Sequence, residues 1–436
     1  MTMLRNITNK LIAWKDNASR KPLIIRGARQ TGKSYSVLDF GKKYFTGQTH
    51  VINLEKNPDF HFIFEQNLDV SRILTDLEIL TGKRIVPGQD LLFIDEIQAC
   101  QKAITALRYF YEQKPELHLI AAGSLLEFSL RDISFPVGRV QLINMNPMNF
   151  DEFLIATGND VLAEKLRQKP TQLSMPINNM IKEELKKYFF IGGMPECVRT
   201  YRETNSLHEV FKVQSDLIDT FRQDFSKYAP HSDKTCLNGV FKSATTFVGK
   251  QIKYSGMVED FTMPTIKKAF NLLETARLFK KVIAANPEGL PLGGDSSEKI
   301  FKVIMLDIGL LSKLSGINVS EEFKNSHLLS VFNGKMAEQF IGQEIVAAGN
   351  DNLFYWSRQE KSSSAETDFL IEKNGQIIPV EVKSGSKGRL KSLHLLLKTY
   401  TNIKKAYVFS DSETINLTDD KIQFFPLYYI GSLIRE

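Results

Sequence analysis

Leu23-Ile24-Ile25-Arg26-Gly27-Ala28-Arg29-Gln30-Thr31-Gly32-Lys33-Ser34 runs from an apolar stretch into a glycine-bounded loop that ends on lysine and serine. Its last eight residues fit GxxxxGK[ST] in full. The context also fits, with a strand before the loop and a helix opening near Lys33. The glycines let the backbone curl so that the N–H groups from Gly27 through Ala28, Arg29, Gln30, Thr31 and Gly32 face a β-phosphate. That phosphate would sit at the positive end of a helix dipole. Lys33 is expected to reach the β- and γ-phosphates, and Ser34 to ligate Mg²⁺. A chance glycine loop is the competing reading.

A second motif argues against chance. Leu91-Leu92-Phe93-Ile94-Asp95-Glu96 is an apolar strand closing on two acids, and Asp95 lies 62 positions after Lys33. Asp95 is expected to hold the Mg²⁺ shell and Glu96 to polarise the attacking water. A third strand ends at Gly123-Ser124. Ser124 would either sense the γ-phosphate or simply cap the helix that starts at Leu125. Arg139, in Ser134-Phe135-Pro136-Val137-Gly138-Arg139, is a candidate arginine finger acting in cis or across a subunit boundary, against the plainer reading of a solvated side chain.

Outward from the loop, strand-like runs alternate with amphipathic segments over the first 200 residues. Leu23–Ile25, 50–54, 91–94 and 118–122 are short and apolar, as suits strands covered on both faces of a parallel α/β sheet. From about Leu162 the chain turns to helices rich in Lys, Glu and Leu, broken at Gly192-Gly193-Met194-Pro195. Helical stretches at 235–248 and 263–279, a Gly/Pro-rich loop and the strand 300–306 follow in the order of a winged-helix unit. A second α/β pattern occupies the last 110 residues, opening with a helix at 334–347.

With 436 residues, two to four domains are expected. A hydrophobic share of 42% and a charged share of 24% exclude wholesale disorder. No apolar run reaches the ~20 residues of a membrane helix, and the first residues carry no secretory pattern, so no membrane partner and a cytoplasmic location are expected. Three scattered cysteines (Cys100, Cys197, Cys236) exclude a disulfide framework or zinc cluster. The seven histidines show no i, i+4 pairing, which leaves zinc chemistry and a Ser-His-Asp triad unsupported. The formal net charge of +6 permits a polyanionic partner without requiring one. Lys267-Lys268 and Lys280-Lys281 are candidate phosphate contacts, against the reading of a solvated face.

Asp368 and Glu381-Val382-Lys383 form the second chemical constellation. Turn residues Lys373-Asn374-Gly375 predict a hairpin that brings Asp368 and Glu381 to one end of the sheet. Two carboxylates and Lys383 there would bind Mg²⁺ and activate water for phosphodiester cleavage, with Glu338 on the preceding helix as a third carboxylate. Solvated strand-end charges are the alternative.

On these residues the sequence resembles the prokaryotic AAA-type P-loop ATPases that end in a restriction-endonuclease-like PD-(D/E)xK domain. The motifs are those above together with Phe150-Asp151-Glu152-Phe153-Leu154, Gly192-Gly193-Met194-Pro195-Glu196, Glu366-Thr367-Asp368-Phe369 and Val380-Glu381-Val382-Lys383-Ser384-Gly385. The resemblance implies ATP and Mg²⁺ bound by Lys33, Ser34 and Asp95, with Glu96 as water activator; Arg199 is a candidate second sensor. The expected parts are an ATPase core at 1–160, a helical lid at 161–230, a winged-helix-like domain at 231–320 and a nuclease-like domain at 321–436. Three functions follow: an ATP-driven enzyme processing DNA or another nucleic acid, a nucleotide-switched binding or regulatory protein that does not cleave, and a chaperone-like ATPase. A homo-oligomer is compatible with each.

Overall fold

The computed structural model describes residues 3–124, 126–129, 136, 138–228, 233–294, 296–316, 334–360, 363–383, 390–419 and 421–435. They divide into two compact units, Met1–Asn146 and Pro147–Glu436. The helix expected from Leu125, parts of the loop before Arg139, the turn at Ser384-Gly385 and the boundaries drawn at 230 and 320 lie outside the described residues.

In the first unit five strands form an all-parallel sheet: β1 (Leu23–Arg26), β2 (Thr49–Asn53), β3 (Leu91–Asp95), β4 (His118–Gly123) and β5 (Gln141–Asn144). Their order is β2-β3-β4-β1-β5. The continuous apolar runs have a simple cause, since both faces are covered. Ile24, Ile52, Ile94 and Leu119 pack into one buried cluster, and Leu23, Ile25, Phe93 and Ile120 into another. Each such side chain contributes about 1.5–3 kcal/mol on burial. The order places β4 between β1 and β3, so the end of β4 lies between the glycine loop and the acidic strand end.

The second unit begins with a helix at Phe150–Ala156, entered through a capping box in which Asn149 and Glu152 satisfy each other's backbone donors. Helices Asp160–Arg167, Met175–Ile191, Pro195–Thr204 and Leu207–Tyr228 follow. Beyond helices Lys234–Thr246 and Met263–Thr275 stands a seven-stranded sheet. Its strands are β6 (Phe279–Ala285), β7 (Ser296–Met305), β8 (Leu353–Glu360), β9 (Ser363–Lys373), β10 (Gln376–Lys383), β11 (Ala406–Ser410) and β12 (Ile422–Pro426). The order is β12-β11-β10-β9-β8-β6-β7. The sheet therefore does not break where a self-contained domain was expected at 231–320. β6 pairs with β8, because its open edge offers unpaired backbone groups that another strand satisfies. Register irregularities at Ile283/Ala284 and Phe354/Trp356 mark bends in this region. Helix Lys335–Ala347, which carries Glu338, packs on β7 and β10. Among the described residues no helix is long and apolar enough to cross a membrane.

Candidate functional site

The glycine loop joins β1 to helix Lys33–Tyr44. Gly27 admits no side chain, because a Cβ there would overlap the Met145 carbonyl oxygen. Gln30 (φ 63°) and Gly32 (φ 91°) adopt left-handed backbone, the conformation that turns neighbouring N–H groups toward one concavity. Lys33 is buried, and its Nζ donates to the carbonyl oxygens of Gly27 (3.1 Å) and Ala28 (2.8 Å). Thr31 Oγ1 donates to Ala28 O at 3.0 Å. Arg5, which sequence reasoning missed, braces the loop: one guanidinium nitrogen donates to Thr31 O (2.9 Å) and another to Asn146 O (2.7 Å). No local motif marks it, because its partners lie 26 and 141 positions away.

Ser34 Oγ donates to Asp95, at 3.0 Å from each carboxylate oxygen. Asn53 Nδ2 adds a longer contact of 3.3 Å. Burial raises the Asp95 carboxyl, opposed by the Ser34 hydrogen bond. Glu96 sits in left-handed backbone at φ 51° and accepts from Gln98 Nε2 at 2.5 Å. Ser124 Oγ faces Glu96 at 3.4 Å, and Arg29 Nε faces Ser124 at 3.5 Å, both long for a hydrogen bond. A Cβ on Gly123 would strike Gln98, so the glycine keeps room for the side chain that holds Glu96. The structure thus brings together Arg29, Lys33, Ser34, Asp95, Glu96 and Ser124. A serine hydroxyl meeting a carboxylate beside a buried lysine suits a magnesium–triphosphate, since Mg²⁺ takes hard oxygen donors.

Arg139 is placed elsewhere in its chemistry: its Nε lies 3.2 Å from Glu112 and its guanidinium over the Tyr111 ring. Arg199 is exposed and faces Glu196 at 3.9 Å.

The C-terminal carboxylates do meet, but around a lysine. β9 and β10 pair antiparallel with Val380 opposite Phe369, and Val382 N donates to Asp368 at 2.8 Å. Lys302, on β7 and only 1% exposed, places Nζ 2.5 Å from Glu338, 2.5 Å from Glu366 and 3.1 Å from Asp368. Lys383 pairs with Glu381 at 2.5 Å. Burial raises the Glu338 carboxyl against the pull of Lys302, and raises Glu381 with help from Asp368. Among the described residues no three acidic, histidine or cysteine side chains are arranged to hold a metal. The expected triad of Glu338, Asp368 and Glu381 is therefore divided between two ammonium groups and does not fit a metal as it stands. Lys302 and Glu366 are the residues that sequence reasoning gave no role. The available signal was a single charge inside the apolar strand Ile300-Phe301-Lys302-Val303-Ile304.

Lys281 also departs from expectation. It is buried, 3.2 Å from Glu274 and 3.3 Å from Glu298, so it is committed inside the fold and not offered to phosphates. Lys267 and Lys268 are exposed.

Residues 19–154 match the family described as AAA domain. Residues 182–321 match a domain of unknown function (DUF8612), and 333–430 another (DUF4143). No curated protein matches the chain. Among solved structures, a RuvB variant from Thermotoga maritima is 14% identical, covering 65% of this chain and 89% of its own, at a TM-score of 0.31. A STAND ATPase with a tetratricopeptide-repeat sensor from Pyrococcus horikoshii is 11% identical, covering 80% and 47%, at 0.28. A Drosophila ORC structure bound to DNA is 10% identical, covering 72% and 85%, at 0.26. Overlaps this loose transfer neither fold nor function.

Proposed function

Starting from an AAA domain over residues 19–154, we propose that this protein binds ATP with Mg²⁺ and hydrolyses it at the loop Gly27–Ser34. The carrying observation is the meeting of Ser34 and Asp95, 61 positions apart, at 3.0 Å beside the buried Lys33. Backbone N–H groups of the loop hold the phosphates in place. Lys33 turns from the carbonyl oxygens of Gly27 and Ala28 to phosphate oxygens and offsets charge that develops there. Ser34 and Asp95 would hold the magnesium, which when bound neutralises charge on the phosphate oxygens. Glu96, steadied by Gln98, orients the attacking water and takes its proton.

The test is phosphate release together with fluorescent-nucleotide binding. Lys33→Ala is expected to lose both, and Glu96→Gln to keep binding while losing turnover. Hydrolysis that survives in Lys33→Ala would end this reading.

For the C-terminal strands we favour a nucleotide-switched binding or regulatory role over phosphodiester cleavage. The supporting observation is that Asp368 and Glu381 are each engaged by a lysine. Labelled DNA and RNA, incubated with ATP and Mg²⁺ or Mn²⁺, should be left intact, whereas cutting that is lost in Asp368→Ala would restore the nuclease.

A further inference from the structure

Taking a divalent cation's place among buried carboxylates requires a cation that is fixed, desolvated and surrounded by oxygen. Lys302 meets each requirement. Its side chain projects from an apolar strand, with Val303 and Phe301 buried beside it, so the ammonium has exchanged water for protein oxygens. Nζ marks a point with three carboxylate oxygens at 2.5, 2.5 and 3.1 Å. Two of those distances fall within the ~2.3–2.6 Å that oxygens adopt around Ca²⁺, and the third is longer, as suits an ammonium hydrogen bond. The Tyr355 ring lies 5.7 Å from Nζ and adds its π face to the cage. Glu366 is also fixed from behind, since Gln251 Nε2 donates to its other oxygen at 2.6 Å. A separate observation points to the same place: Glu381 is nine-tenths buried, and its second carboxylate oxygen accepts no hydrogen bond from the described residues.

We propose that Lys302 is a resident cation of the C-terminal cluster, occupying by its ammonium the position a divalent metal would take, and that its removal converts the cluster into a divalent-cation site. A single positive charge there balances part of the acid load and supplies no exchangeable coordination position. It can neither bind a phosphodiester oxygen as a Lewis acid nor lower the pKa of a water. Without the ammonium, Glu338, Glu366, Asp368 and Glu381 form the hard-oxygen set that suits Mn²⁺. Glu366, one-third exposed, gives the ion a route in. The proposal goes beyond the non-cleaving reading and can fail separately from it: a protein that loads Mn²⁺ on this cluster yet leaves DNA intact would refute the resident cation alone.

The probe is Mn²⁺, titrated into the nucleotide-free full-length protein by calorimetry, with thermal melts in parallel. Wild type is expected to show no Mn²⁺ binding that Asp368→Asn removes. Lys302→Met, similar in length and neutral, should gain binding at least ~10-fold tighter than any wild-type binding, about one pK unit of affinity. Mn²⁺ should also raise the melting temperature of this variant and not that of wild type. Adding Asp368→Asn to Lys302→Met should abolish the gain. Should Lys302→Met fail to fold, Lys302→Met/Glu366→Gln carries one acid fewer and the same expectation. Wild-type binding that Asp368→Asn abolishes overturns the proposal, as does a folded Lys302 variant that gains no Mn²⁺.

Discussion

Lys33 and Lys302 are both buried lysines, 7% and 1% exposed, yet they are held by opposite kinds of partner. Lys33 donates to two neutral carbonyls of its own loop, and Lys302 pairs with three carboxylates, one from a helix and two from β9. A carbonyl brings no counter-charge to an ammonium, so an arriving phosphate can displace such a hydrogen bond. Carboxylates have already neutralised Lys302: desolvation by burial pulls its pKa down, and Glu338, Asp368 and Glu366 outweigh that and hold it well above the usual lysine range. One lysine donates to neutral oxygens; the other is itself a counter-ion. Burial of a charge therefore says little about function until its partners are known.

The sharpest way to break this contrast is to truncate each lysine. Lys302→Ala leaves buried acids uncompensated and should cost about 3–5 kcal/mol of the second unit's stability in urea. Trp356 is the fluorescent reporter, with Trp14→Phe silencing the first unit. Lys33→Ala should lower ATP hydrolysis at least ~100-fold, as expected on removing a charge that acts in the transition state. Its effect on urea unfolding reported by Trp14 should stay below about 1 kcal/mol. Equal stability losses would erase the distinction. Gly27→Ala forces the loop off the Met145 carbonyl and should destabilise the first unit by about 1–3 kcal/mol, with weaker nucleotide binding.

The smallest effects are in pH. His118, packed against Trp14 and Phe45, is held down to about 4 by burial and then by Arg20. Between 4 and 6.5 the unfolded chain therefore binds the extra proton, and the first unit loses stability as pH falls through that window. Glu344 in the second unit is pushed up to about 8 by burial, opposed by Arg435. There the folded state keeps the proton, so stability is full below about 4.5 and is lost as pH rises toward 8. Urea midpoints read by Trp14 and Trp356 should move in opposite directions between pH 5 and 7.5. His118→Phe and Glu344→Gln should each flatten one slope, a change of about 1–2 kcal/mol.

The strand–glycine loop–helix unit was legible because its geometry is local. Gly27, Gly32, Lys33 and Ser34 lie within one turn and a helix start, and the apolar runs of β1, β3 and β4 announced a doubly covered sheet. Arg5 and Gln98 escaped, since one reaches the loop from a distant segment and the other acts on Glu96 from a short turn. The hairpin carrying Asp368 and Glu381 was legible from its turn and alternating valines. The partners of those acids were not, because a strand pattern gives the face of a side chain and not the charge brought against it.

Sequence by itself determined the glycine loop between β1 and its helix, the acid pair at the end of β3, the apolar strands of the first sheet and the hairpin that carries Asp368 and Glu381. Tertiary structure alone decided that β6 and β7 extend the C-terminal sheet and that Lys302 enters the acid cluster. The reason is physical: backbone curvature and side-chain alternation are set by neighbours along the chain. The electrostatic meaning of a buried charge is set by groups 36, 64 and 66 positions away, once folding has removed the water between them.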